Sequence, residues 1–74
     1  MILSEKIRYL FKFKKKRQVD YAKHIGRLPQ GLSNSIRDNA LNVTDLVELC
    51  NWLNIDIDMI DCESGTHIIT LNKD

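Results

Sequence analysis

The sequence predicts a mostly α-helical chain of four helices, or five if Ile57–Ile60 also coils, followed by a small C-terminal β-hairpin. The first observation is a change of period. Apolar residues recur at spacings of three and four as far as Leu53, the pattern of helices with one buried side. From Ile55 the period falls to two, in Ile55-Asp56-Ile57-Asp58-Met59. The second is size: 74 residues make one small domain, near the lower limit at which an apolar core holds without staples. Within residues 1–74, the helical part is expected over 1–54 and the hairpin over 55–72.

Each element follows from local signals. Ser4 is placed to cap a first helix running to about Phe13, with Leu3, Ile7, Leu10 and Phe11 inward. The run KKKR at 14–17 is the expected bend. A second helix spans roughly Arg17 to Ile25, burying Val19 or Tyr21, Ala22 and Ile25, and Gly26 stops it. Pro29 suits the first position of a third helix, where its missing N–H costs nothing. That helix should run to Arg37 or Asp38, and Leu28, Leu32 and Ile36 fall four apart along it. Asn42 or Thr44 caps a fourth helix with Val43, Leu46, Val47, Leu49, Cys50 and Leu53 on a wide apolar face. Asn54 can close it in the left-handed conformation.

The second apolar run after Asn54 is His67-Ile68-Ile69-Thr70-Leu71, with Glu63-Ser64-Gly65 as a three-residue hairpin loop. Pairing around that loop sets Met59 opposite Ile69 and Ile57 opposite Leu71 on one face, with Ile60 and Ile68 on the other. A lone hairpin is marginal in water and needs something to pack on or pair with. Ile57, Met59, Ile69 and Leu71 are therefore the candidate contacts of a homodimer.

The net charge of +1 conceals a division. Residues 1–37 hold ten Lys and Arg against Glu5 and Asp20, or +8; residues 38–74 hold Lys73 against eight carboxylates, or −7. Such asymmetry fits a basic face for a polyanion and an acidic remainder kept away from it. A merely solvated basic face is the plainer alternative.

Two short helices separated by Gly26-Arg27-Leu28 have the size of a helix-turn-helix, whose second helix enters the major groove of DNA. With Leu32 and Ile36 inward, Gln30, Ser33, Asn34 and Arg37 face out, and Gly31 permits close approach. Gln and Asn can bond adenine in a bidentate manner, Arg can do so with guanine, and Ser is permissive. A solvated helix more often shows Glu and Lys. The phosphate contacts expected beside it are Lys14, Lys15, Lys16 and Arg17, the charge cluster.

The ordered set RQVDYAKHIGRLPQGLSNSIRDN, followed by NVTDLVELCNWLNI, resembles the Cro and phage-repressor (XRE-like) type of helix-turn-helix. Gln18, Tyr21-Ala22 and Ile25-Gly26 match the family's second helix, and Leu46 to Ile55 its later helix, with Cys50 for a small Ala. The resemblance covers about residues 5 to 55 and implies a Cro/repressor-like bundle. It implies that Gln18 touches a phosphate and braces the recognition helix. Gln30, Ser33 and Asn34 would face bases, and residues around Arg37 and Asn39 would hold the DNA backbone. It further implies a dimer on a palindromic operator, with half-sites about one helical turn apart. Two positions depart from it. Arg27 stands where the family has an apolar residue, and Leu28 where it has a capping Ser or Thr. Leu28 is expected to take the packing role, leaving Arg27 for a phosphate. Ser35 also gives the third helix less apolar anchorage than the family provides.

Other classes find less support. His24 and His67 lack a third ligand, and although Asp56, Asp58 and Asp61 suggest a metal site, strand alternation puts Asp56 and Asp58 on the outer face, where they repel DNA and sheet edges, so no metal is expected. No nucleophile–base pair or phosphate-binding glycine loop supports catalysis, a cofactor or a small-molecule substrate. Cys50 reads as core and Cys62 as an unactivated thiol. Two cysteines without ligand spacing fit a reduced interior. MILSEKIRYLF lacks a signal-peptide core, and no run approaches a membrane span, so a cytoplasmic protein is expected. The sequence thus points to a sequence-specific DNA-binding regulator, a repressor of bacterial or phage type. A protein-interaction module on the same fold, antitoxin-like or anti-repressor, is the alternative.

Overall fold

The computed structural model describes all of residues 1–74. Four helices, α1 (Leu3–Lys14), α2 (Gln18–His24), α3 (Pro29–Arg37) and α4 (Val43–Leu53), precede two strands, β1 (Asp58–Ile60) and β2 (His67–Thr70). The chain divides into two compact units, Met1–Asn42 with α1 to α3 and Val43–Asp74 with α4 and the strands. The mostly helical class with a small antiparallel sheet is the expected one, and Ile57–Ile60 does not coil. No helix is long and apolar enough to cross a membrane.

In the first unit the core is drawn from all three helices: Ile7 and Phe11, Tyr21 and Ala22, Leu32 and Ile36 are buried. The rings of Phe11 and Tyr21 lie 6.3 Å apart and tilted, a favourable aromatic arrangement. Leu32 and Ile36 are fully buried, each contributing about 2–3 kcal/mol of apolar burial. Ser4 does not cap α1. The cap position is Ile2, without a side-chain hydrogen bond, and Ser4 is itself buried. The inward stripe is Ser4, Ile7 and Phe11, so Leu3 turns out to solvent. The small serine fits where the helix packs closely, which capping rules do not register.

All four helices end the same way. Lys15, Gly26, Asn39 and Asn54 adopt left-handed backbone. The amides that follow reach back to close each end: Lys16 to the Phe11 carbonyl, Arg27 to Ala22, Ala40 to Ser35 and Ile55 to Cys50, at 2.8–3.0 Å. This closure satisfies carbonyls the helix leaves without partners.

In the second unit Leu49, Cys50 and Leu53 are buried, whereas Val43, expected on the same face, is largely exposed. Burial pushes the Cys50 thiol above its ordinary pKa. α4 starts at Val43, directly after Asn42, and Thr44 lies inside it. The hairpin pairs Asp58 with Thr70 and Met59 with Ile69 as expected. Past Met59 the register slips, and Ile60 pairs with His67 rather than Ile68. The cause is the turn. Asp61 accepts from the Glu63 amide and the Ser64 hydroxyl, while its own amide donates to Thr66 O at 2.9 Å. The loop is thereby Cys62–Gly65, one residue longer than Glu63-Ser64-Gly65, with Gly65 left-handed as anticipated. Ile68 becomes the extra residue of a bulge. β1 is also shorter than the alternating run, because Asn72 takes over its beginning. Its Oδ1 accepts from the Ile57 amide at 2.8 Å, and its Nδ2 donates to Ile55 O at 2.7 Å and Asn51 Oδ1 at 3.0 Å.

Candidate nucleic-acid interface

The four residues Ile25–Leu28 join α2 to α3, and these two helices pack on one another. Gly26 supplies the left-handed step. Leu28 stands at the cap of α3 without a side-chain bond, and Pro29 follows at the first helical position. That bare cap is the one its residue type predicts.

α3 divides sharply by side. Leu32 and Ile36 are fully buried, while Gln30, Ser33 and Arg37 are exposed and Asn34 is half-buried. Leu28 does not join the stripe: it is 79% exposed, because its extended backbone turns it off the helical course. Nor is Arg27 left without a partner. Its guanidinium donates to Ser35 Oγ at 2.8 Å and approaches Gly31 O at 3.5 Å. The two departures noted in the sequence thus answer each other: a polar tie from the turn anchors α3 where an apolar side chain is missing.

Lys15, Lys16, Arg17 and Asn39 are exposed, and Lys14 and Gln18 are half-buried. Two guanidinium groups of the basic unit carry carboxylates of their own. Arg17 forks onto Asp20, with both contacts at 3.2 Å. Arg37 forks onto Asp38 at 3.0 and 3.3 Å. The hydrogen bond from Arg17 holds the Asp20 carboxyl below its ordinary pKa, and that from Arg37 does the same for Asp38. For either arginine to grip a phosphate or a guanine, it must exchange its aspartate for the new acceptor.

Gly31 is the glycine that local geometry does not explain. Gly26 and Gly65 have positive φ, whereas a Cβ at Gly31 would meet only Arg27 Nη2, at 4.0 Å. Nothing within the chain forbids a Cβ there.

The expected hairpin contacts fall into two groups. Met59 and Ile69 are exposed, together with Ile60 and Ile68, while Ile57 and Leu71 are half-buried. Reading by residue overlooked a further surface on α1 and its N-cap, where Ile2, Tyr9 and Phe13 are exposed. Its signal was present in the spacing, since these residues lie opposite the Ile7–Phe11 stripe. Comparison of the chain with family models, curated proteins and solved structures finds no match.

Proposed function

We propose that the protein is a sequence-specific DNA-binding regulator of the Cro/repressor-like helix-turn-helix type, a repressor acting as a homodimer, with α3 as its recognition helix. The observation that carries this reading is the division of α3. Two fully buried residues fix one side, and the other offers amide, hydroxyl and guanidinium groups, the chemistry that reads base edges in the major groove. The charge distribution supports it, since ten basic residues stand among the first 37 and phosphate attraction is the sequence-independent part of binding. Gln30, Ser33, Asn34 and Arg37 read bases. Lys14, Lys15, Lys16, Arg17, Gln18, Arg27 and Asn39 hold phosphates, Arg27 with the N–H groups it does not give to Ser35. The hairpin, through Ile57, Met59, Ile69 and Leu71, supplies the contact between subunits.

Selection of duplexes from a random pool tests the reading. The expected outcome is a short palindromic motif whose affinity falls steeply with salt. The four exposed apolar residues of the hairpin favour a second reading, a module that binds only protein, and under it the pool is returned unenriched.

A further inference from the structure

Two apolar surfaces on this chain are exposed, and their charged surroundings are opposite in sign. On α1 and its N-cap, Ile2, Tyr9 and Phe13 are 65%, 52% and 67% exposed. Their spacing places them on one side of the helix, with Lys6 between them. The Tyr9 and Phe13 rings lie 6.2 Å apart, so they form one continuous aromatic patch. Lys6, Arg8, Lys12 and the Lys14–Lys16 run surround it against the single Glu5. On the hairpin, the cross-strand pair Met59 and Ile69 is exposed on one face, and the segment from 56 to 63 adds Asp56, Asp58, Asp61 and Glu63, of which Asp56 holds Lys73 at 3.0 Å. Exposed apolar patches of this kind on a small chain mark interaction surfaces.

We infer that the hairpin of one copy docks on the outer face of α1 of a second copy, apolar face on apolar face with carboxylates against ammonium groups. This rests on the homodimer reading and identifies what receives the hairpin. Pairing like with like is disfavoured on both sides. Two hairpins bring eight carboxylates together against two Lys73, and two α1 faces juxtapose their lysines, and like-charge contacts of this kind work against an interface. The lengths also match. Ile2 to Phe13 spans about 16 Å at the helical rise, and strands of three or four residues span about 10–13 Å.

The contact is reciprocal within a two-fold dimer, each copy giving its hairpin and receiving its partner's on α1, and that property gives its test. Sedimentation of the full chain at tens of micromolar, without DNA, is expected to show self-association. The association constant should fall about tenfold between roughly 50 and 500 mM salt, as screening weakens opposed charges. Phe13→Glu and Ile69→Lys should each be monomeric, and so should Met59→Lys as an independent variant of the same hairpin face. An unchanged helical spectrum and thermal transition verify folding. Mixing Phe13→Glu with Ile69→Lys should restore a 1:1 complex, because the first retains a hairpin and the second retains an α1 face. A monomeric wild type overturns the inference, as does a Phe13→Glu variant that still dimerises, or a mixture that stays monomeric. Association that rises with salt overturns it too. Because no DNA is present, these outcomes are independent of whether α3 reads bases.

Discussion

The Arg27 guanidinium, in the turn before α3, donates to Ser35 Oγ at 2.8 Å across eight residues of sequence. The bond ties the turn to the second turn of the helix it precedes, so the two cannot shift independently. Because the pair is exposed, its worth is modest. A double-mutant cycle with Arg27→Ala and Ser35→Ala, followed by urea unfolding, should give a coupling of about 0.5–1 kcal/mol.

Gly31 allows stability and binding to be separated. With room for a Cβ, Gly31→Ala should stabilise the fold by about 0.5–1 kcal/mol. If the glycine serves close approach to DNA, the same change weakens binding to the selected site. A thermal melt and an anisotropy titration on one sample check both signs.

Base readers and phosphate holders should fail differently. Gln30→Ala or Asn34→Ala is expected to cost about 1–3 kcal/mol on the selected site and to relax one base position. Lys15→Ala should weaken selected and scrambled duplexes alike and flatten the salt dependence. An Asn34→Ala protein whose base preference is unchanged removes Asn34 from the reading face.

The hairpin turn is acid-sensitive through Asp61. Its carboxylate accepts from the Ser64 hydroxyl first and the Glu63 amide second, which holds its pKa below the ordinary 3.8. A lowered folded pKa means the bonds stabilise the turn fully above the ordinary value and are lost as pH falls through the lower one. The protection of the Gly65 amide, whose bond to Asp61 O is 2.8 Å, should fall, relative to its intrinsic exchange rate at each pH, on acidification below about pH 4. Asp61→Asn should abolish that step, and Asp56→Asn should leave it.

Asn72 fastens the hairpin to the end of α4 through its three bonds to Asn51, Ile55 and Ile57. Asn72→Ala should destabilise the protein by about 1–3 kcal/mol, since it leaves the half-buried Ile57 amide without its acceptor. Hydrogen exchange should locate the loss at the amides of Ile57 and Leu71.

Much of this architecture is legible in the residues, where short-range chemistry decides. Pro29 opens α3 and Gly26 and Asn54 close α2 and α4 where local rules put them, and Leu32 and Ile36 go to the core. What escapes is set by partners distant in sequence or by competition between two local choices. Ser35 looks like missing anchorage until Arg27 is seen to reach it. The loop could have been three residues, but Asp61 has turn bonds to make, and the register beyond Met59 yields to them. The curtailment of β1 belongs to Asn72, fifteen residues from the Ile57 amide it binds. On the candidate interface, spacing gave the exposure of Gln30, Ser33 and Arg37. It could not show that Arg17 and Arg37 each hold an aspartate, because that depends on rotamers.

The left-handed lysine at position 15 has a consequence for how the chain assembles. Lys14, Lys15, Lys16 and Arg17 are all good helix formers, and a left-handed conformation costs a residue with a Cβ about 1–2 kcal/mol. Locally, then, the chain prefers to continue coiling from α1 straight into α2. The break between them is imposed from outside the segment, by the burial that Phe11, Tyr21 and Ala22 gain once α2 folds back. Before that burial is made, local propensity across Lys14–Arg17 favours continued helix over the corner at Lys15.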